Sequence, residues 1–531
     1  MTSSEVDKVQ QFDHVESTDS VDKFVFSDEA AERGAAIQEE ERNLTIAQST
    51  RQFWKSILYS SVAFAAAMMF GYDSIVNGAS LSMPSFFMYF GDVNETGFYL
   101  PSIWTSLWAA MSSLFQAVGA FSAGFLMDRF GRTWTGSALS ALTIAGTAMQ
   151  YVAKTRGLLL AGKMVNGLGI GAGMAIGITY ASEVAPVKLR APIQQGIVLF
   201  NVAMFAVALG VVRVFVPHIE ESAFRTVFAI QWAVGGLATV VFLLVPESPN
   251  FLVQKQRFTA AKKSLAKIYG PETAGERLAL LVKTTQEEQA NAVIDSGSYL
   301  DCFKGTDLKR TLTIIFIYIA SNIAGAAFLT QNILILITAG LEAIHVFDIG
   351  VGGFGLAIVI ILATWALAGK FRRHNAFLFG CIINLIIMVI IGALYYAPGQ
   401  GGLWASAVLM NLLISLQTSI IQGMGWPIAA EISSYRLRGK SLALGTISQA
   451  IMAWLTAFVV PYMFNVDSGN LGIRTGFVWA GTSVFLILGA WFLVPDTTNL
   501  TAEEIDHLYI DKVNPRHFQK AWQERRAAGE N

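Results

Sequence analysis

The sequence predicts an all-α membrane protein with twelve transmembrane helices arranged as two halves of six. Of its 531 residues, 53% are hydrophobic and only 14% are charged, whereas soluble domains carry about 25% charged residues. Apolar segments of about 20 residues, enough to cross about 30 Å of hydrocarbon, recur along the whole chain. A single long polar stretch divides these segments into two equal groups.

The predicted spans define the domain boundaries. Residues 1–50 are acidic and polar without the apolar core of a signal peptide, so we expect a disordered cytosolic tail. An N-terminal six-helix bundle then occupies 51–245, a cytosolic central loop with short helices 246–311, a C-terminal six-helix bundle 312–495, and a second cytosolic tail 496–531. The twelve spans begin near Ser56, Ser102, Trp134, Leu158, Ile193, Thr226, Leu312, Phe347, Ala376, Leu403, Ser441 and Arg474.

Basic residues predict the orientation of the chain. The segments "DRFGR", "VKLRAP", "KFRRH" and "YRLRGK" follow even-numbered spans and lie on the same side as the Lys-rich central loop. The positive-inside rule therefore places both termini in the cytosol, although "AKTRG" on the other side counts against it. Asn94 of "NET" would then face outside as a candidate glycan acceptor, with an unused sequon as the alternative.

Composition and motifs argue against several classes of function. The net charge of −1 gives no sign of a nucleic-acid partner, and Cys302 and Cys381 do not form a disulfide framework. The sequence has no H-E-x-x-H motif, no cysteine cluster and no Walker-type lysine. We therefore expect neither an enzyme, nor a bound metal or cofactor, nor a pump driven by ATP.

An internal repeat relates the two halves. "TYASEVAPVKLRA" and "PIAAEISSYRLRG" align without a gap, which matches Glu183 with Glu431 and Arg190 with Arg438. In each copy the glutamate ends an even-numbered span and the arginine opens the following turn. Two related six-helix halves are typical of a transporter that rocks about a site near the midplane of the membrane.

Charged residues at the cytosolic ends of the spans are candidates for gating salt bridges. We expect them to form ion pairs between the halves when the cytosolic side is closed and to separate when it opens. The alternative is that they are simple charged helix ends. The candidates are Asp128, Arg129, Arg132, Glu183, Arg190, Glu247, Arg372, Arg373, Glu431, Arg436 and Arg438.

Asp73 is a carboxylate inside the apolar segment "AFAAAMMFGYDSIVNGASL". An ionised aspartate at the centre of a membrane helix costs about 2.5–3.5 kcal/mol on insertion scales. An ionisable residue within a span is by default a candidate functional site. The alternatives are a hydrated position near the outer mouth and a permanent structural pair.

Several motifs together resemble the sugar-porter branch of the major facilitator superfamily. These are "GFLMDRFGR", "ASEVAPVKLR", "PESP" and "PDTTNLTAEEID". "GYDS", "SYLDCFKGTDLKRT" and "AEISSYRLRGKSLAL" are similar to segments of fungal maltose and α-glucoside permeases. The resemblance covers about Glu40 to Tyr509 and implies the major-facilitator fold, a central cavity and often proton-driven uptake across a fungal plasma membrane.

The resemblance also implies roles for individual residues. Asp73 would alternate between a protonated state and an ion pair with Lys163 on span four, where sugar porters often have arginine. Ser321 and Asn322 occupy the positions of two glutamines that bind sugar hydroxyls, and Trp426 occupies an aromatic position on span ten. The full set of substrate-binding candidates is Asn201, Ser321, Asn322, Gln331, Asn332, Gln422 and Trp426.

Departures from the sugar-porter pattern leave the cargo open. The span-five and span-seven glutamines are replaced, and Ala327 stands where an asparagine is usual. Because sugar hydroxyls need polar partners in a dry cavity, a less hydroxylated, non-sugar metabolite is the alternative to a sugar. A non-transporting sensor is a third possibility, but such sensors tend to have longer cytosolic tails. The expected partners are a small-molecule substrate, protons and the lipid bilayer, with the chain acting as a monomer.

Overall fold

The computed structural model describes residues 27–94, 97–294, 298–367, 372–397, 399–434, 437–498, 500, 502–511 and 513–528. Two helices precede the first span, and the N-terminal half follows with a short helix and a hairpin between its first two spans. Its elements are α1 (Asp28–Asn43), α2 (Ile46–Gln52), α3 (Trp54–Ala79), α4 (Pro84–Phe90), β1 (Asp92–Asn94), β2 (Gly97–Tyr99), α5 (Ser102–Phe130), α6 (Arg132–Tyr151), α7 (Arg156–Val184), α8 (Val187–Phe215), α9 (Glu221–Ala229) and α10 (Gln231–Leu244).

The central loop contains three helices, and the C-terminal half follows it. The loop helices are α11 (Pro249–Gln254), α12 (Phe258–Tyr269) and α13 (Ala274–Ile294). The C-terminal half and tail comprise α14 (Gly305–Ile323), α15 (Ala326–Thr330), α16 (Asn332–Thr338), α17 (Ala343–Leu367), α18 (Arg373–Leu394), α19 (Gly401–Leu416), α20 (Gly423–Ile432), α21 (Arg438–Phe464), α22 (Thr475–Leu493), α23 (Ala502–Ile510) and α24 (Phe518–Ala528).

The predicted twelve spans each have a helix or a helix pair at the expected position. Within the described residues, ten of these are long and apolar enough to cross a membrane, and an eleventh is the bent pair α2 and α3. The remaining span is α6, whose 20 residues include several serines and threonines. These hydroxyls lower its hydropathy, and Ser137 and Thr147 use theirs for hydrogen bonds to neighbouring helices.

Close packing explains the glycine-rich sequence of α7. A Cβ atom at Gly171 would lie 1.9 Å from the Gln116 backbone oxygen, and one at Gly167 would lie 2.6 Å from that of Ser112. Only glycine lets α5 and α7 approach this closely. The glycine run therefore serves close helix packing.

The helix of the seventh span is interrupted, and buried side-chain amides donate hydrogen bonds to the backbone carbonyl that the interruption leaves free. Gly325 has a φ of 91°, which L side chains rarely adopt, and it separates α14 from α15. The Ala324 carbonyl freed by the break accepts hydrogen bonds from Asn384 Nδ2 at 3.1 Å and Gln417 Nε2 at 3.0 Å. Gln417 also opens a π-helical turn, Gln417–Gln422, within the tenth span. Non-helical backbone at membrane depth needs such partners.

The N-terminal segment differs from the prediction of a disordered tail, because α1 packs against α13. A Cβ at Gly34 would lie 2.4 Å from the Glu276 backbone oxygen, and Glu41 forms an ion pair with Arg277. The Arg277 guanidinium lies 4.0 Å from the Tyr269 ring centroid. Burial lowers the pKa of Arg277 to about 10, so Arg277 remains charged at neutral pH. Although α1 is polar overall, its alanine and glycine residues form a narrow face that packs against α13.

The two halves are joined at one face of the bundle. We call the face that carries both tails and α11–α13 the inner face, and the opposite face the outer face. At the outer face, Asp467 accepts a hydrogen bond of 2.8 Å from the Ser102 backbone nitrogen. Arg213 and Asp348 form an ion pair of 2.8 Å between α8 and α17. The conformation is therefore one in which the outer face is closed.

Candidate functional site

Asp73 is buried among amide side chains from three other spans. Its Oδ1 accepts hydrogen bonds from Asn166 Nδ2 at 2.7 Å and from Gln231 Nε2 at 3.4 Å. Its Oδ2 accepts one from Gln116 Nε2 at 3.4 Å. Thr147 on α6 completes the set by donating to Gln231 Oε1 at 3.2 Å. These donors offset part of the cost of a carboxylate in the membrane.

Lys163 does not pair with Asp73 in this conformation, so the structure shows a state other than the ion-paired one of the predicted alternation. Its ammonium bonds instead to the side-chain oxygen of Asn77 and lies 3.4 Å from the Asn77 backbone oxygen. It also lies 5.8 Å from the ring centroid of Phe228. Asn77 is one helical turn beyond Asp73 on α3, and Lys163 is one turn before Asn166 on α7. The two helices are thus joined by two polar contacts, one turn apart.

A small cavity adjoins the carboxylate. Its volume is about 10 Å³, and its lining includes Asp73, Asn166, Gln231 and Thr143. A single water molecule requires about this volume and two to four polar partners. Asn166 Oδ1 is buried and has no hydrogen-bond partner among the described residues. The cavity therefore has the size and the polar lining that one water requires.

Four gating candidates of the N-terminal half are paired within that half. Arg132 Nη2 lies 3.0 Å from Glu183 Oε1 and 3.4 Å from Asp128 Oδ1. Glu247 Oε1 accepts a hydrogen bond of 2.8 Å from the Arg132 backbone nitrogen, and Oε2 accepts one of 2.8 Å from Thr133 Oγ1. Glu247 thus caps the start of α6 across the bundle.

The C-terminal half contains a corresponding pair. Arg373 bonds to Glu431, and Arg372 Nε lies 4.0 Å from Asp496 Oδ2. The expected pairing between halves is thus replaced by pairing within each half, which is what a structure closed at the outer face permits. Arg129, Arg190 and Arg438 are exposed, and Arg436 lies outside the described residues.

Four of the substrate-binding candidates lie on the seventh and tenth spans. Gln422 Nε2 donates to Ser321 Oγ at 3.0 Å. The Trp426 ring, which is 45% exposed, stacks on Tyr318 with a centroid distance of 6.2 Å. Asn322 follows Ser321 directly and is buried. A hydroxyl, two amides and a stacked aromatic pair are therefore available along α14 and the π-helical turn with α20.

The other candidates lie elsewhere. Gln331 and Asn332 are buried at the junction of α15 and α16, and Gln331 Oε1 has no partner among the described residues. Asn201 lies on α8, and its backbone oxygen would be 2.6 Å from a Cβ at Gly71 on α3. Asn94 ends β1, and the two residues that complete its sequon are outside the described ranges.

Sequence reasoning missed the amides around Asp73. Asn166 is three residues after Lys163, a spacing that places both on one side of α7. Gln231 is a lone amide within the apolar run of α9 and α10, which is unusual in a span. Both signals were present, but neither identifies which helices become neighbours.

Comparison with known proteins agrees with this architecture. The sequence model of the family described as "Sugar (and other) transporter" matches residues 59–509. The "MFS transporter fmqE" of Aspergillus fumigatus is 42% identical over 97% of this chain and 98% of its own length. The "General alpha-glucoside permease" of Saccharomyces cerevisiae is 26% identical over 96% of this chain and 86% of its own length.

A solved structure shows the same fold. The inward-open conformation of the xylose transporter XylE from E. coli has a TM-score of 0.66 and 20% identity, and covers 85% of this chain and 98% of its own. The fold and the paired halves thus define a multi-pass transporter of the major facilitator superfamily, not an enzyme, and the fold prediction is confirmed. Within that superfamily, the chain belongs to the Sugar (and other) transporter family.

Proposed function

We propose that this chain is a proton-coupled secondary transporter that moves a sugar or an α-glucoside-like small organic solute by alternating access. The membrane is the plasma membrane, both tails face the cytosol, and the transporter acts as a monomer. The observation that carries the proton coupling is the buried carboxylate of Asp73, which accepts hydrogen bonds from amides of three other spans. The names of the yeast α-glucoside permeases support the class of cargo.

The two polar contacts between α3 and α7 suggest how proton binding drives the conformational change. When Asp73 is ionised, the Asn166 and Gln231 amides hold it, and Lys163 bonds to Asn77. A proton on Asp73 removes a charge-assisted contact, which is about twice as strong as a neutral one. In the alternate conformation Lys163 shifts by one turn from Asn77 and pairs with the ionised Asp73. A proton on Asp73 removes that ion pair from the alternate conformation but only weakens hydrogen bonds in the present one, so the proton favours the present conformation, as coupling requires.

A non-sugar metabolite is the second candidate cargo, because the site offers few free polar groups. The Gln422 amide is already bonded to Ser321, and Ala327 supplies no side-chain donor. The exposed face of Trp426, stacked on Tyr318, favours a flat apolar group. This candidate keeps the fold and the transport cycle and changes only the cargo.

The deciding experiment is uptake in yeast cells that lack their own permeases. Labelled maltose, glucose and a panel of non-sugar metabolites are each tested with and without a protonophore. Maltose uptake that the protonophore abolishes is the expected result. Indifference to every sugar, with uptake of another metabolite, would transfer the proposal to the second candidate.

A variant of the carboxylate tests the coupling itself. Asp73→Asn should abolish accumulation against a gradient but retain exchange of labelled for unlabelled cargo, because the neutral amide imitates the protonated acid. Ser74→Ala is the matched control, since the Ser74 hydroxyl bonds only to the Phe70 carbonyl of its own helix, at 2.8 Å. Undiminished accumulation by the Asp73 variant would refute the assignment of this residue.

A further inference from the structure

A cavity of about 580 Å³ lies at the outer face, above the closed contact between the halves. We call it the outer vestibule. The N-terminal half contributes Phe87 of α4 and Tyr99 of β2, and the C-terminal half contributes Leu334, Tyr395, Phe464 and Arg474 among others. Its volume lies within the roughly 300–1,000 Å³ range of small-molecule sites. No cargo contact discussed above involves these residues.

A single cation lines this vestibule. Of the described lining residues, only Arg474 is a lysine, arginine, aspartate or glutamate. Its Nε donates to the Leu471 carbonyl at 3.3 Å and its Nη2 to the Asn470 carbonyl at 2.9 Å. The guanidinium lies 4.4 Å from the ring centroid of Tyr395. A guanidinium has five N–H donors, so these two bonds leave capacity for an anion.

Most residues of the remaining wall are apolar and some are partly exposed, although one threonine and two asparagines also belong to it. Phe98 of the hairpin, Tyr395 and Val466 are each about half exposed, at 51%, 48% and 52%. These residues belong to the hairpin and to the loops that follow α18 and α21, beyond the ends of the spans. All three side chains line the vestibule and therefore offer apolar surface to a ligand within it. A small inorganic anion bound to Arg474 would make no contact with this apolar surface.

We propose that the outer vestibule binds a small organic anion with a flat apolar body. The carboxylate of the ligand accepts hydrogen bonds from Arg474, and the body lies against Tyr395, Tyr99 and Phe464. Because both halves contribute to the wall, the bound ligand stabilises the conformation that is closed at the outer face. This site stands apart from the proton and cargo sites, whatever the cargo is.

Calorimetry on the full chain in lipid nanodiscs tests the proposal, with 2-naphthoate as the probe. The neutral isostere 2-naphthylmethanol has the same apolar body without the charge, and empty nanodiscs correct for partition into lipid. We expect saturable binding of 2-naphthoate with one site per chain, and at least tenfold weaker binding of the alcohol. Equal affinity for the acid and the alcohol would overturn the role of the cation.

Two variants locate the site. Arg474→Gln should weaken 2-naphthoate binding at least tenfold, whereas Lys154→Gln, at an exposed outer position outside the vestibule, should leave it unchanged. Ala339→Trp places an indole in the vestibule from an exposed position and should abolish binding even if Arg474→Gln fails to fold. Wild-type affinity in the Ala339 variant would refute the location.

Discussion

Replacement of Asp467 by alanine should open the outer face. Asp467 Oδ2 accepts a hydrogen bond of 2.8 Å from the Ser102 backbone nitrogen, and its Oδ1 bonds to the Ser102 hydroxyl. Ser102 begins α5 in the N-terminal half, and Asp467 follows α21 in the C-terminal half. A carboxylate at a helix N-terminus also interacts favourably with the helix dipole. The contact therefore exists only while the outer face is closed.

The size of the effect follows from these contacts. Hydrogen bonds to a charged group contribute about 1.5–3 kcal/mol, and Asp467 belongs at the low end because it is exposed. A loss of about 1.4 kcal/mol changes an equilibrium tenfold. The ion pair of Arg213 and Asp348 has side chains 41% and 51% exposed. Such exposed pairs contribute about 0–1 kcal/mol, so Asp348→Ala should have an effect below about fivefold.

Labelling of a cysteine introduced at Gly78 measures the opening. A Cβ at this position would have the Thr330 backbone oxygen 3.7 Å away, so the thiol fits and is covered by the seventh span. The native Cys302 and Cys381 are buried. A membrane-impermeant maleimide applied from outside should react about ten times faster when Asp467→Ala is added.

The comparison between the two acids can refute the reasoning. Equal labelling rates with and without Asp467→Ala would show that this contact does not hold the outer face closed. A larger effect of Asp348→Ala would show that the exposed ion pair, and not the helix N-terminus, carries the closure.

Two further predictions concern the inner face. Arg132→Gln leaves the nearly buried Glu183 without its cationic partner, which costs about 3 kcal/mol. Thermal unfolding in detergent should therefore show a larger fall in Tm than for Arg373→Gln, whose pair is about one-third exposed. Gly34→Leu should detach α1 from α13 and make trypsin cleavage within α1 about tenfold faster, whereas Ala35→Leu on its exposed side should not; equal cleavage of both variants would contradict the packing.

Long apolar runs predicted the spans, because the membrane imposes both their length and their helical form. Asp73 was identified because charge within a span is costly, and Lys163 was identified through the resemblance to sugar porters. The amide neighbours of Asp73 were not predicted, because the periodicity of one helix does not determine which helices surround it. Asn384 and Gln417 illustrate the same limit: their role depends on a backbone break in another span.

The N-terminal segment shows where composition misleads. Charged residues dominate α1, which is the usual signature of a disordered tail. Ala30, Ala31 and Gly34 nevertheless form a face narrow enough to fit against α13. The contact depends on backbone proximity at one glycine and on one buried ion pair, and neither is visible in the average polarity of the segment.

The docking of α1 has a practical consequence for anyone who expresses this transporter. A truncation at residue 50 would remove Glu41 and leave Arg277, whose side chain is only 12% exposed, as an uncompensated cation beside Tyr269. Fluorescent reporters and affinity tags are better fused ahead of Ser27, so that α1 and its contact with α13 are retained. A chain that retains α1 should therefore express at a higher yield and tolerate detergent better than one truncated at residue 50.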